Sequence, residues 1–575
     1  MLPCLSDTAG AQKALLGFAA LLTVLCSAFA IYGAADLHTP VPWGDSWDGL
    51  VQFYINAQDG QTAAWWGQHN EHRFVISRVL YWLDYTVFGG ALVSLFVWNF
   101  FFAGLGVWLF IKLAGIAVQK AGSGQISRFV FLLTTLFLIA WLYLWTQYET
   151  LAYAFNPHFF LAYVMPLWAF YLLYKVRDGA GSKTFALACF IGVLSAGSMA
   201  NAIATLPFMV IYAAIMQMGV KRIGILAALS VSVITLYMWG FKSVGGHGSI
   251  TESTLHDPIG MIRFVLNYMG GPFFFFAGKG AAGAFAAPVF GAFFIGSCAV
   301  FAWKALRTRG RSAFAIMLLV FILYIGAGAF ATAGGRLPMG LGAAFAPRYT
   351  TPTVMAWAAL LLLYMPLIFT LLKTKLGQRV LTAGFIAAFL LVTAMQSTVF
   401  MEKRDWAKGR AIGGLAAEMQ VRDDLYLKKI YNDPARVLTI AQTASARNIG
   451  FFGREEYRDV REMIGTKAPP APPACDAMIH GSANLPNDNN YGRIYGAFSA
   501  QSSYVPAAVY IVSETGDIIG YGLTNMERSL PDRPSTYAQK FWFTGYMKAA
   551  DYNADLYLQD TKGKCRTGKI NYPLK

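Results

Sequence analysis

Charge is scarce in this chain. Only 13% of its 575 residues are Asp, Glu, Lys or Arg, against about 25% in a typical soluble domain. That scarcity excludes a chain clothed in water on all sides, and it excludes a disordered one. Hydrophobic residues make up 56%, and they come in runs of about 20, the length a helix needs to cross hydrocarbon. Cysteine is also sparse, six in all, with no metal-ligand spacing. No internal repeat is visible, and the apolar runs hold almost no ionisable residue.

The apolar runs predict a polytopic α-helical membrane protein with about eleven spans, near 14–34, 91–113, 129–147, 159–175, 184–200, 203–220, 223–241, 283–304, 313–333, 352–372 and 380–400. The short loops QKAGSGQISR, KVRDGAGSK, KR, KALRTRGR and KTKLGQR are basic and fall on one side of that alternation. Loops rich in Lys and Arg are cytoplasmic, so the N-terminus is expected inside and the tail after residue 400 outside. The net charge of +16 is then mostly a topology signal, and nucleic acid is not an expected partner. The first run, although SAFA resembles a cleavage site, is long for a signal peptide and is expected to remain as a helix.

Acids are few where the chain is apolar. Eleven of the 30 precede residue 401, and only Asp7 and Asp178 of those fall on the cytoplasmic side. All seven histidines, His247 among them, fall on the outer side. Ionisable groups near lipid are kept where they line a site or a cavity, so any chemistry is expected on the outer face.

The outer loops carry the candidates. PVPWGDSWDGL places Asp45 and Asp48 three residues apart, on one face if the stretch is helical. Such a pair suits base chemistry or a cation, and its bland role is helix capping. QHNEHR adds His69, Glu71, His72 and Arg73; a zinc site there would lack a clear third ligand. FVISRVLYWLDYTVF (74–88) and HDPIGMIRFVLNYMGGPFFFF (256–276) read as surface helices. The second carries Arg263, a Gly-Gly-Pro hinge and four phenylalanines expected to face lipid. Glu149 lies in TQYETLAYAFNPHF, and Arg336, Arg348 and Tyr349 lie in the glycine-rich stretch 334–352. The fork of Arg suits phosphate. Acids, arginines and aromatics at one face suit a lipid-linked substrate, its phosphate held beside the membrane and an acceptor hydroxyl activated by a carboxylate.

The stretches WGDSWDG, WWGQHNEHR, QYETLAYAFNPHF and APRYTT, on this architecture, resemble the GT-C superfamily of membrane glycosyltransferases. That superfamily includes protein O-mannosyl-, aminoarabinose and arabinofuranosyltransferases. The resemblance covers residues 1–400 and is architectural more than motif-level. It implies an inverting transfer of a sugar from a polyprenyl-phosphate donor to a periplasmic glycan, lipid or protein acceptor at a bacterial inner membrane. It maps the family's acid onto Asp45, with Asp48 as the alternative, and a phosphate-binding arginine onto Arg348. His69, Glu71, His72, Arg73, Glu149, Arg263, Arg336 and Tyr349 are the remaining substrate-binding candidates. DSWD has one residue too many for Asp-x-Asp, so a divalent metal is possible but not favoured, and no cofactor is expected. The alternatives are a transporter or flippase of a lipid-linked saccharide, or a glycan polymerase or ligase.

The tail, 401–575, holds the other nineteen acids and no long apolar run. It is expected to be a separate periplasmic α/β domain rich in strands, a helical segment that includes REEYRDVREMIG and then a β-sandwich-like module. SETGDIIG predicts a hairpin turning at Thr515–Gly516. Cys475 and Cys565, placed outside the cytoplasm, are expected to pair.

Overall fold

The computed structural model describes residues 9–242, 248–307, 312–401, 405–500, 507–524, 541–551 and 555–570; Asp7, His247 and part of KALRTRGR lie outside them. The chain is mostly helical, 69%, and divides into two compact units. The first comprises residues 1–36, 65–79 and 95–402, the second residues 37–64, 80–94 and 403–575. The 403–575 segment begins beside the expected boundary at residue 400, and residues 37–64 and 80–94 are added to it. The loop after the first helix is grouped with the tail, not with the helices that flank it in sequence.

Among the described residues, eight helices are long and apolar enough to cross a membrane, including Gly10–Asp36, Val93–Ala121, Pro157–Arg177, Gly280–Arg307 and Lys375–Phe400. The apolar run at 352–372 is a bent pair, Pro347–Leu363 and Met365–Leu371, with a 49° turn at the break. The runs expected at 184–200 and 203–220 form the shorter helices Ser182–Ser195 and Ala200–Ile215. Buried polar groups cross-link these helices. The Gln396 amide donates to the carbonyls of Cys26 and Tyr143 (both 2.8 Å) and accepts from the Trp145 amide at 2.7 Å. A fully buried amide is stable only when so satisfied. It therefore fixes the start of the segment that carries Glu149. Trp141 donates to the Val354 carbonyl at 2.8 Å, and the Tyr324 hydroxyl to the Ala162 carbonyl at 2.6 Å.

Both stretches are helical as expected, as Val75–Phe88 and Pro258–Met269, the second broken before Gly271–Phe276. Asp257 caps Pro258–Met269 by accepting from the Gly260 amide. Three of the four phenylalanines are partly exposed, and each of these stacks on a neighbouring ring. Phe273 stacks on Phe290 at 3.8 Å, Phe274 on Phe345 at 4.0 Å and Phe276 on Trp141 at 6.0 Å, while Phe275 is buried.

In the second unit, the tail begins with helices Asp405–Glu418, Asp424–Ile430 and Pro434–Ala446. REEYRDVREMIG yields only the single turn Val460–Met463. Six strands follow: β1 Cys475–Leu485, β2 Asp488–Ala500, β3 Ala508–Ser513, β4 Ile518–Leu523, β5 Phe541–Lys548 and β6 Leu556–Asp560. They form one antiparallel sheet in the order β1-β2-β5-β4-β3-β6. Among the described residues there is one curled sheet where two stacked ones were expected. Its core is Ile479, Ile494, Phe498, Val509, Ile511, Phe543, Met547, Leu556 and Leu558. The expected hairpin is β3–β4, with Gly516 at φ 85° in its turn.

The curl explains the disulfide. β1 and β6 are the two edges of the sheet, and the segment after β6 bridges to both. Arg566 pairs with Gln559 and Ile570 with Leu556 on β6, while Thr567 pairs with Cys475 on β1. The Cys475–Cys565 bond sits at this seam and spans 90 residues. Exposed edges invite foreign strands, and the seam covers both at one end.

Candidate functional site

Asp45 and Asp48 belong to the second unit, and the local chain there is unusual. Gly44 is in the left-handed region, at φ 54°, and its amide donates to the Ile430 carbonyl at 2.7 Å. A π-helical turn, Trp47–Gln52, follows and passes into helix Phe53–Gln58. Trp47 is fully buried. Its indole nitrogen donates to the Pro42 carbonyl at 2.9 Å, and its ring meets Phe451 and Phe452 edge-on. Trp43 lies under the Arg410 guanidinium at 4.1 Å. The loop is thus moored to the tail helices on either side of its acids.

The two acids sit in different environments. Asp48 accepts from Arg436 Nε at 2.9 Å and Nη2 at 2.7 Å, both on Oδ1, and from the Tyr431 hydroxyl on Oδ2. Burial, then the Asp48 carboxylate, push the Tyr431 hydroxyl well above its ordinary pKa, so it remains a donor. Asp45 is exposed. Its main-chain carbonyl accepts from the Gly49 amide at 2.8 Å, and no side-chain capping bond forms at the start of the turn. Helix capping therefore accounts for neither carboxylate.

Sequence reading missed Tyr431 and Arg436. One signal was present in YNDPAR. Asp433 caps helix Pro434–Ala446 and puts Arg436 in its first turn with no acid beside it. A cation there opposes the helix dipole, so it calls for an anion from elsewhere. Asp59 is a second acid of the loop held by the tail, 2.8 Å from Arg447.

The remaining candidates belong to the first unit. Arg348 and Glu149 form an ion pair at 3.0 Å, which sequence reading had placed in separate roles. Tyr349 is buried, with Arg348 5.2 Å from its ring centre and Tyr268 packed on it at 5.2 Å. Thr351 donates to Thr150 at 2.8 Å, and the Asn156 amide to the Glu149 carbonyl at 2.7 Å. The first bond joins the two segments beside the pair, and the second closes the turn that carries Glu149.

QHNEHR is a packed turn. His69 and His72 exchange backbone hydrogen bonds at 2.8 and 2.9 Å, and both rings lie against buried Phe74, on which His158 stacks at 4.2 Å. Arg73 is buried and points inward. It donates to the carbonyls of Tyr237, Trp66 and Trp239 at 3.0, 2.8 and 2.9 Å. The Arg73 fork is thus taken up by three main-chain carbonyls. Glu71 lends its carbonyl to the Tyr237 hydroxyl at 3.2 Å. Arg263 is exposed on its helix, and Arg336 lies 3.8 Å from the Met339 sulfur. Among the described residues no three His, Cys, Asp or Glu side chains converge as metal ligands.

The chain matches no protein-family model, no curated protein and no solved structure.

Proposed function

We propose that this chain is a GT-C-like glycosyltransferase of the bacterial inner membrane. It takes a sugar from a polyprenyl-phosphate donor and gives it, with inversion, to a periplasmic glycan, lipid or protein acceptor. Eleven passes, with the N-terminus inside, put the tail in the periplasm, where nucleotide sugars are absent and a lipid-linked donor is needed. The basic loops support that orientation, and the Cys475–Cys565 bond fits an oxidising compartment.

The observation that carries the proposal is the Arg348 group. An arginine fork with a carboxylate counter-ion and a buried tyrosine stands directly before helix Thr350–Leu363. The positive end of that helix favours the same anion. The donor phosphate replaces Glu149 on Arg348. Asp45 or Asp48 takes the proton from the acceptor hydroxyl. One feature favours a second reading, transport of a lipid-linked saccharide: the 49° break at 363–365, since broken helices are common in transporters.

Membranes supplied with radiolabelled polyprenyl-phosphate sugars test the two. Transfer by the wild type establishes the enzyme. Arg348→Ala at matched expression raises the donor KM by about tenfold or more, the usual cost of a charged phosphate contact. Movement of labelled lipid across the bilayer without transfer favours the transporter.

A further inference from the structure

The loop bearing Asp45 and Asp48 is built into the tail, and the tail engages one of the two acids with a cation and a phenol. We infer that Tyr431 and Arg436 are positioning residues that hold Asp48 as a fixed anion, leaving Asp45 as the carboxylate that meets the acceptor hydroxyl. This rests on the proposed sugar transfer and divides the roles within it.

The geometry supports the division. A carboxylate has about four lone-pair directions, and Asp48 uses three of them on Arg436 and Tyr431. A base must accept a new hydrogen bond from its substrate, and Asp48 has little left with which to accept one. Asp45 lies three residues earlier and is exposed, and its carboxylate makes no hydrogen bond or ion pair among the described residues. The charged and titratable groups gathered on this turn are Asp45, Asp48, Tyr431 and Arg436, with Asp433 one turn before Arg436, its Oδ1 accepting the Arg436 amide. Arg436 offsets Asp48, so the carboxylate at Asp45 does not face a second uncompensated one. The π-helical turn matters here. It is held at its base by buried Trp47 and at its side by Asp48, so the clamp on Asp48 fixes where Asp45 points.

In the step itself, the acceptor oxygen forms a bond to the anomeric carbon while its proton passes to Asp45. The bond from that carbon to the phosphate oxygen breaks, and the electron pair leaves with polyprenyl phosphate. No oxidant or further reactant is needed.

The test uses the full chain in membranes. Carboxyls are labelled with a water-soluble carbodiimide and a small amine, and the sites are read by mass spectrometry. In wild type, Asp45 labels about tenfold or more faster than Asp48, since the engaged group must first break its hydrogen bonds. In Arg436→Gln and in Tyr431→Phe, Asp48 labelling rises toward that of Asp45. Equal labelling of the two acids in wild type overturns the clamp whatever the activity. For sugar transfer, Arg436→Gln lowers kcat by about tenfold with the donor KM within about twofold, and Arg436→Lys recovers part of kcat, because a cation is restored. Loss of kcat equal in the Lys and Gln variants, with Asp48 still protected, assigns a folding role only and overturns the proposal. A wild type that shows the labelling pattern but transfers no sugar sinks the transferase reading and leaves the clamp standing.

Discussion

At the scale of single residues, burial decides which titratable groups report on folding. Glu418 ends helix Asp405–Glu418 and is 2% exposed. Burial pushes its carboxyl up to about 7, and the Ser445 hydroxyl and Arg461 amide pull the other way. The sign follows from proton counting. Between the ordinary value of 4.5 and about 7, the folded form keeps a proton that the unfolded chain has released. Stability from this residue is therefore present at low pH, falls as pH rises through that window, and is flat above it. The loss amounts to no more than about 3.5 kcal/mol, at roughly 1.4 kcal/mol per pH unit. Glu418→Gln cannot titrate, so its thermal midpoint exceeds that of wild type at pH 8 and converges with it near pH 4.5. Midpoints that differ by the same amount across the range contradict this account. Arg73 makes the complementary point. Its place in QHNEHR suggested a substrate contact, yet three carbonyls take up its fork. Sequence gives residue type, and two of the three acceptors for this arginine, Tyr237 and Trp239, come from distant chain.

Elements were legible where their cause is local. The β3–β4 hairpin was readable because Thr515–Gly516 supplies a left-handed position between two β-rich runs. Helix Pro258–Met269 was readable from its Asp-Pro start and its Gly-Gly-Pro stop. REEYRDVREMIG was misread because its charges mimic a helix face, while Asp459 sits at φ 57° and breaks the run. The fate of the four phenylalanines was not legible, since their stacking partners lie as far off as Trp141 and Phe345. The seam of the sheet is also non-local, yet its disulfide was readable, because only two cysteines occur in the tail. Closing a loop of 90 residues removes chain entropy equivalent to about 4–5 kcal/mol. Cys475→Ser is expected to lower the stability of the sheet by about that amount. Reductant should produce the same fall in wild type and none in the variant, as read by limited proteolysis between β1 and β6. A Cys475→Ser chain that unfolds at the wild-type denaturant concentration contradicts it.

At the scale of the whole molecule, the break in composition after residue 400 lies beside the start of the 403–575 segment, but composition does not show which earlier residues belong with that segment. Residues 37–64 and 80–94 are grouped with 403–575. Trp47 packs on Phe451 and Phe452, and Asp48 and Asp59 pair with Arg436 and Arg447. Hydropathy could not show this, because it ranks segments by their affinity for lipid and is silent on which polar segments meet. The tail is consequently part of the scaffold for the candidate base instead of an accessory lid. A chain ended after residue 402 leaves Trp47 without its aromatic partners and Asp48 without its cation. It is expected to insert in the membrane, because the apolar helices are intact, yet to lose sugar transfer altogether and to be cleaved by protease within 37–64. A lid would behave differently. Its removal would leave that loop resistant and reduce transfer only in part, through the acceptor KM, so protease resistance together with residual transfer would refute the scaffold role.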